Sequence, residues 1–293
     1  MPLWFICSTI SPYEIICTFE ISIQTQKGQV MTRSAKRIYL IKYLLQEQPQ
    51  YKDMIIPENE PEQKDLLRSL FNIRRPSAVS EDFLTIQDSY LKEETAQKGI
   101  TDFTSMTPIR AGIYIWRGDI TTLHCDAVVN AANSQMLGCF YPCHSCIDNQ
   151  IHTFSGIQLR LACDKLMRAQ GHEEAVGNAK ITPAFNLPCS YVIHTVGPVI
   201  HGSVTKRDEQ LLASCYRSCL TAAEEHNLKS LAFCCISTGE FHFPNQRAAE
   251  IAVQTVNDYK KQTQSSIDII FNVFKETDYR IYQNLLKADL ERV

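Results

Sequence analysis

The sequence Ala-Val-Val-Asn-Ala-Ala-Asn-Ser at residues 127–134 is the most informative stretch for the fold of this chain. Its apolar beginning predicts a short strand that is buried on both faces, which is typical of a parallel sheet. A polar loop with Asn130 and Asn133 follows at once, and a helical pattern begins at Ile147. A buried strand that leads through a loop into a helix is the repeating unit of α/β domains. We therefore expect an α/β fold built around this strand.

The same alternation of strand and helix continues on both sides of this stretch. Short apolar runs predict further strands at Ile113–Trp116, Ala179–Thr182, Tyr191–Thr195, Leu231–Ile236 and Ile267–Phe274. Helical periodicity covers Ile147–Ala169, Arg207–His226, Asn245–Lys261 and Thr277–Leu290. Residues 101–293 are therefore predicted to form a three-layer α/β/α domain with a mixed, largely parallel sheet. Ligands of such sheets bind beyond the carboxyl ends of the strands, so the loops after the strands are where function is expected.

The region before residue 101 has a different pattern. Apolar residues recur at helical spacing over Ser34–Glu47, Lys64–Ile73 and Ser80–Glu94, and Ser80 is placed as an N-cap. Residues 31–100 are predicted to form a small helical appendage. Residues 1–30 mix aromatic and polar residues without a regular period. We interpret them as a non-native or disordered extension upstream of Met31.

Composition excludes several classes of protein. The 293 residues are 44% hydrophobic and 21% charged, with a formal net charge of −3 and no long basic run. General nucleic-acid binders and proteins of anionic membranes need a concentrated basic surface, so neither is expected. No stretch reaches the ~18 apolar residues of a membrane span, and a signal peptide is disfavoured. The 12 cysteines are interpreted as reduced, because a chain of this length needs no disulfide scaffold, and a cytoplasmic location is expected.

A cluster of metal-ligating residue types follows the asparagine loop. Residues 138–146 read Gly-Cys-Phe-Tyr-Pro-Cys-His-Ser-Cys. Cys139, His144 and Cys146 supply two thiolates and one imidazole, a set that can hold Zn²⁺ and leave its fourth position open for water or substrate. Cys143 is the alternative fourth ligand, which would make a closed structural site. We expect it not to be a ligand, because ligation by both Cys143 and His144 demands a tight local geometry.

Three more loops after predicted strands carry distinctive residues. Gly-Asp-Ile-Thr occupies residues 118–121, Gly197-Pro198 follows the strand that contains His194, and Ser-Thr-Gly-Glu-Phe-His-Phe-Pro occupies residues 237–244. The last of these leads directly into the helix predicted at Asn245. Backbone N–H groups from Ser237 to Phe241 can converge there on an anion, as in phosphate-binding loops.

In their order and spacing these loops resemble those of the macrodomain family, which binds ADP-ribose, and the resemblance covers roughly residues 100–293. It implies that Asp119 accepts a hydrogen bond from the adenine amino group and that Ile120 lines the adenine slot. Asn133 would hold the distal ribose, and Phe274 would stack on the adenine. The diphosphate would be wrapped by Ser237, Thr238, Gly239, Glu240 and Phe241.

The cysteine and histidine loop, together with Leu-Phe-Asn-Ile-Arg-Arg-Pro at residues 70–76, is similar to the zinc-dependent macrodomain class. These are microbial enzymes that remove ADP-ribose from modified protein side chains. The resemblance implies Zn²⁺ as cofactor and an ADP-ribosylated protein as substrate. Within the class it also implies a sirtuin-type ADP-ribosyltransferase and a lipoyl-carrier protein as partners.

The resemblance leads to a mechanistic hypothesis in which zinc anchors the distal ribose and the attacking water. Asn133 would fix the sugar, and Asp148 would act as the acid/base or positioning carboxylate, since it lies four residues before His152 on one helix face. His194 is interpreted as structural, whereas a structural and a functional role both stay open for His152. Two alternatives stay open: a module that reads ADP-ribose and has a structural zinc, and a hydrolase of a small ADP-ribose metabolite.

Overall fold

Eight strands are found in the computed structural model, which describes residues 31–51 and 53–288. They are β1 (Thr101–Asp102), β2 (Ile113–Arg117), β3 (Leu123–His124), β4 (Ala127–Ala132), β5 (Ala179–Pro183), β6 (Tyr191–Val196), β7 (Ser230–Phe233) and β8 (Asp268–Val273). The interpretation of residues 1–30 lies outside the described residues. From Thr32 onward the described residues belong to one compact unit.

Six of these strands form the central sheet in the order β2-β8-β7-β4-β6-β5. All neighbours are parallel except β5, which pairs antiparallel with β6 at the edge. β1 and β3 form a separate parallel pair. The apolar side chains of the inner strands are fully buried, among them Val128, Val129, Ile193, Leu231 and Ile270. A mixed, mostly parallel sheet with flanking helices is thus confirmed.

Eight helices accompany these strands in the described part of the chain: α1 (Arg33–Gln46), α2 (Glu60–Ile73), α3 (Glu81–Lys98), α4 (Ile147–Ser155), α5 (Ile157–Gln170), α6 (Lys206–Glu225), α7 (Asn245–Thr263) and α8 (Glu276–Ala288). α7 packs between α6 and α8, whereas α4 contacts β4 and α5 contacts β5. Short 3₁₀ helices occur at Pro49–Tyr51, Phe103–Ser105 and Ile120–Thr122. Every helix that the sequence predicts is present, although one prediction covers two helices.

Helices α1 to α3 bury an apolar cluster of their own, which includes Leu40, Leu44, Leu70 and Phe83. Ser80 caps α3 as predicted, because its side chain accepts a hydrogen bond from the Phe83 backbone N–H. α2 and α3 both contact α4, the first helix after the cysteine and histidine loop. The helical segment therefore lies directly behind the part of the α/β domain where function is expected.

The predicted helix Ile147–Ala169 is wrong in one respect, because it is broken into α4 and α5 at Gly156. Gly156 has φ +90°, and a Cβ there would lie 2.6 Å from Gln87 Nε2 and 2.7 Å from Gln158 Oε1. Only glycine fits such a backbone at such close approach. The strand predicted to reach Ile236 also stops earlier, at Phe233, because residues 234–236 already belong to the following loop.

Two further predictions concern reduced cysteines and the absence of a membrane span. The ten cysteines in the described ranges are free thiols, and most are buried. Among the described residues, no helix is both long and apolar enough to cross a membrane.

Candidate functional site

The candidate site is a cleft of about 540 Å³ beyond the carboxyl ends of β2, β4, β7 and β8. The parallel strands end at one edge of the sheet, so loops that are far apart in sequence meet there. The cleft is lined by all the residues for which the sequence analysis predicts a role in metal binding, substrate binding or catalysis: Asp119, Ile120, Asn133, Cys139, His144, Cys146, Asp148, Ser237, Thr238, Gly239, Glu240 and Phe241.

The three predicted metal ligands converge at one end of the cleft. Cys139 Sγ lies 3.7 Å from His144 Nδ1, and the candidate ligand atoms of Cys139, His144 and Cys146 all lie within 4.8 Å of one another. Two sulfur or nitrogen ligands on one tetrahedral zinc are separated by roughly 3.5–3.8 Å, from the usual Zn–S and Zn–N bond lengths. The residues present therefore fit a zinc ion with minor adjustment.

The electrostatics of the two thiols favour a thiolate at this position. The hydrogen bond from Cys146 lowers the pKa of the Cys139 thiol to about 5, and the same interaction raises the pKa of Cys146. A bound cation would stabilise both thiols as thiolates, since coordinating thiols are deprotonated outright. Glu240 lies 3.6 Å from His144 Nε2, so the other ring nitrogen, Nδ1, is the one that faces Cys139.

Cys143 has its sulfur on a different side of the loop. Its Sγ lies 3.2 Å from Ser69 Oγ and donates to the backbone carbonyl of Asp65 at 3.3 Å, and both residues belong to α2. Its backbone has φ +52°, a left-handed conformation that is unusual for a residue with a side chain. Cys143 is not one of the converging candidate ligands among the described residues.

Asp148 lies in the first turn of α4, directly after the cysteine and histidine loop of residues 138–146. Its Oδ1 accepts a hydrogen bond from Asn130 Nδ2 at 2.8 Å and lies 3.6 Å from His152 Nε2. Burial raises the pKa of Asp148 to about 7, although the Asn130 hydrogen bond opposes the shift. The sequence places Asp148 and His152 on one helix face, and the structure agrees.

A second group of metal-ligating residue types, which the sequence does not reveal, lies below this network. The ligand atoms of His152, Cys163 and His194 are within 4.8 Å of one another, and all three residues are buried. His194 Nε2 is 2.9 Å from Thr182 Oγ1, and its Nδ1 is 3.1 Å from Asn130 Nδ2. Burial lowers the pKa of His194 to about 3 and that of His152 well below its usual value. Neutral, hydrogen-bonded His194 is part of the core.

Asp119, which also lines the cleft, is held by three hydrogen bonds to its carboxylate. It caps the 3₁₀ helix Ile120–Thr122, with its Oδ1 accepting from the Thr121 backbone N–H at 3.0 Å and from Thr121 Oγ1 at 2.6 Å. Its Oδ2 accepts from Lys98 Nζ at 2.8 Å. Burial raises the pKa of Asp119, but the hydrogen bonds from Lys98 and Thr121 outweigh this and hold it below its usual value. Phe274, 78% exposed, lines the cleft nearby.

The loop from Ser237 to Phe241 also lines the cleft. Ser237 has φ +64°, and the backbone N–H groups of Gly239, Glu240 and Phe241 pair with no backbone carbonyl among the described residues. The Oγ of Ser237 is buried and has no hydrogen-bond partner among the residues that the structure describes. Unpaired donors that face a cleft are the groups that bind phosphate oxygens.

Two residues that the sequence analysis missed reach the site from the helical segment. Lys98, at the end of α3, pairs with Asp119 and lies 3.3 Å from the centre of the Phe154 ring. Arg68, on α2, donates to the backbone carbonyl of His144 at 2.6 Å. Both contacts join residues far apart in sequence, so no local pattern points to them.

Comparison with known proteins agrees with this geometry. Residues 129–252 match the Macro domain family. The chain is 57% identical over 260 residues to a protein-ADP-ribose hydrolase of Treponema medium, covering 87% of this chain and all of that one. It is 45% identical to a protein-ADP-ribose hydrolase of Staphylococcus aureus strain MSSA476, over 89% of this chain and 98% of the relative.

A solved structure supports the same assignment. The Trypanosoma brucei macrodomain in complex with ADP-ribose superposes with a TM-score of 0.59 at 26% sequence identity, covering 78% of this chain and 97% of that one. The extent of identity to the bacterial relatives is too great for a likeness of fold alone. The chain therefore belongs to the macro domain family and is a homologue of proteins named protein-ADP-ribose hydrolase.

Proposed function

We propose that this protein is a zinc-dependent hydrolase that removes mono-ADP-ribose from modified protein side chains. One observation carries the proposal: three candidate zinc ligands converge at the end of the cleft whose other residues match the ADP-ribose loops. The relatives from Treponema medium and Staphylococcus aureus bear the name protein-ADP-ribose hydrolase, which supports the reaction. The open fourth position of a Cys₂His site supports a catalytic metal.

ADP-ribose would lie along the cleft with its adenine at Asp119 and Ile120. The loop Ser237–Phe241 would wrap the diphosphate, and the unpaired backbone N–H groups of Gly239, Glu240 and Phe241 would donate to its oxygens. The distal ribose would then reach Asn133, whose Nδ2 donates to the Gly138 carbonyl at 3.3 Å and whose Oδ1 accepts from the Gln135 backbone N–H at 3.1 Å. These hydrogen bonds tie Asn133 to Gly138, the residue before Cys139, which supports a role for Asn133 at the distal ribose.

The side chains around the distal ribose would each have a separate role in the reaction. Zinc, held by Cys139, His144 and Cys146, would supply Lewis-acid polarisation or a bound water with a pKa of about 7. Asn133 would orient the sugar, and Asp148 would hold a proton at its carboxyl group or position the water. The role of Asp148 is proposed from its place on the cleft and its hydrogen bond to Asn130.

A chelator-controlled hydrolysis assay tests the proposal. Release of labelled ADP-ribose from a modified protein should stop when zinc is removed and return when it is restored. Cys139→Ala, His144→Ala and Cys146→Ala should each lose zinc and activity together, because two ligands rarely retain the metal. Cys143→Ala is the matched control and should keep both, since its sulfur contacts α2.

The other outcomes of that assay separate the alternatives. Release that is unaffected by chelation would leave a hydrolase without a zinc mechanism. Tight binding of ADP-ribosylated protein without release would favour the reader module. Faster turnover of a free acetylated ADP-ribose than of the protein conjugate would favour the metabolite hydrolase.

We further propose that the substrate is a lipoyl-carrier protein modified by a sirtuin-type transferase in the cytoplasm. The support is the resemblance to the zinc-dependent class. Linked genes for a sirtuin and a lipoate carrier would favour this substrate, and release of ADP-ribose from the purified modified carrier would test it directly.

A further inference from the structure

One face of helix α2 lies against the loop that carries the candidate zinc ligands. Arg68 donates from one terminal nitrogen to the His144 carbonyl at 2.6 Å and to Asn149 Oδ1 at 2.8 Å, and its Nε also faces Asn149 Oδ1 at 3.3 Å. The guanidinium therefore bridges the backbone of one ligand and the buried side chain of Asn149. This contact joins residues 76 and 81 positions apart in sequence.

Asn149 extends the contact to the rest of the loop. Its side chain is fully buried, and its Nδ2 donates to the Tyr141 carbonyl at 2.9 Å. Its backbone N–H donates to the sulfur of Cys146 at 3.4 Å. Through Asn149, Arg68 is connected to residues in the middle and at the end of the loop, including a second candidate ligand.

The same face of α2 also contacts the loop at Cys143, between Tyr141 and His144. Asn72, one helical turn after Arg68, accepts a hydrogen bond from the Cys143 backbone N–H at 2.9 Å. Cys143 is the residue with φ +52°, immediately before His144. A left-handed residue in a loop with no regular secondary structure needs partners outside the loop to hold it. The α2 face supplies them.

We propose that Arg68 is a positioning residue for the zinc-binding loop, which it orders before the metal binds. This inference rests on the proposed zinc site. Without the guanidinium, the His144 carbonyl and Asn149 lose their common anchor, and the loop must be ordered at the moment of metal binding. That ordering costs conformational entropy, so zinc binds more weakly. Removal of such outer partners typically lowers metal affinity about 10- to 100-fold.

Arginine is specifically suited to this position. Its planar guanidinium presents several N–H donors in a fixed fork and can serve two acceptors at once. Lysine carries the same charge but is a flexible point donor. Arg68→Lys is therefore expected to preserve the fold and still lose most of the affinity, which separates a geometric role from a purely electrostatic one.

The test measures the zinc dissociation constant of the full chain by competition with a chromophoric chelator, with zinc as the only ligand. Arg68→Ala should weaken zinc binding by about 10- to 100-fold and Arg68→Lys by about 10-fold. Arg33→Ala is the matched control and should bind zinc as the unmodified protein does, because Arg33 pairs with Glu60 and Glu94 on the helical segment. Thermal melting of each metal-free variant reports the structural effect separately.

The outcomes distinguish the inference from the function on which it rests. If the unmodified protein binds no zinc, the proposed zinc site fails, and the role of Arg68 fails with it. If the unmodified protein binds zinc and Arg68→Ala and Arg68→Lys bind it equally tightly, the inference alone is overturned, whatever happens to their melting temperatures. If Arg68→Ala does not fold, a 10-fold loss in folded Arg68→Lys supports the inference and an unchanged constant overturns it.

Discussion

Gly138 tests the packing of the cysteine and histidine loop, because it immediately precedes Cys139. It has φ +79°, and a Cβ there would lie 2.7–2.9 Å from three atoms of the His152 ring. Gly138→Ala therefore carries two costs. The left-handed backbone costs about 1–2 kcal/mol for a residue with a Cβ. Overpacking against a ring that is only 5% exposed costs about 1–3 kcal/mol more.

Gly171 is a matched control for the backbone part of this cost. Its φ is +77°, and a Cβ there meets nothing within 4 Å. Gly171→Ala should therefore show the backbone cost alone. Thermal melting of the metal-free proteins measures the difference, at about 2–4 °C per kcal/mol for a domain of this size. Gly138→Ala should melt about 4–20 °C below the unmodified protein, from the two costs together.

A double variant identifies the source of the additional cost. His152→Ala removes the ring that the new methyl group would meet, so the penalty of Gly138→Ala in that background should fall to that of Gly171→Ala. The reasoning is refuted if Gly138→Ala melts no lower than Gly171→Ala, or if its penalty is the same with and without the His152 ring.

Two further predictions concern charged and titrating groups. Lys98→Ala removes the 2.8 Å hydrogen bond to Asp119. Both side chains are about a third exposed, so the pair contributes about 1 kcal/mol at most. Calorimetry should therefore find that ADP-ribose binds up to about fivefold more weakly. An unchanged affinity would show that Lys98 does not orient Asp119. Burial lowers the pKa of His194 to about 3, from ~6.5 in the unfolded chain, so the unfolded state binds more protons below pH ~6.5. The stability from neutral His194 is complete above pH ~6.5 and should fall by up to about 1.4 kcal/mol per pH unit towards pH ~3. Urea unfolding of His194→Gln at several pH values should show a shallower loss, whereas an identical pH dependence would contradict the assignment.

The strand pattern of the α/β domain could be predicted because strands buried on both faces are apolar runs. β4 and β8 contain such runs, although β4 continues to Ala132 and so includes Asn130, which the sequence pattern places in the loop. Asn133 and Phe274, which follow these strands, line the cleft. The break at Gly156 could not be predicted, because glycine also occurs within helices. At the break, Gln87 of α3 accepts a hydrogen bond from the Ile157 backbone N–H, a contact between residues 70 positions apart.

The candidate site was predictable to the extent that its chemistry lies in single loops. Cys139, His144 and Cys146 lie within one short segment, so their spacing indicates a shared metal. Arg68 and Lys98 carry no such signal, because each is an ordinary basic residue on a helix. Their partners His144, Asn149 and Asp119 are identified only once the helices have packed against the sheet.

Local sequence patterns therefore predict the α/β class and the loops whose residue types suit ADP-ribose and zinc. Those features follow from local periodicity and from the chemistry of neighbouring side chains. Only the packing of helices and sheet fixed which residues of these loops line the cleft, and it brought Arg68 of α2 and Lys98 of α3 against His144 and Asp119. The physical reason is that a hydrogen bond between distant segments depends on how helices pack, which no local pattern of residues encodes.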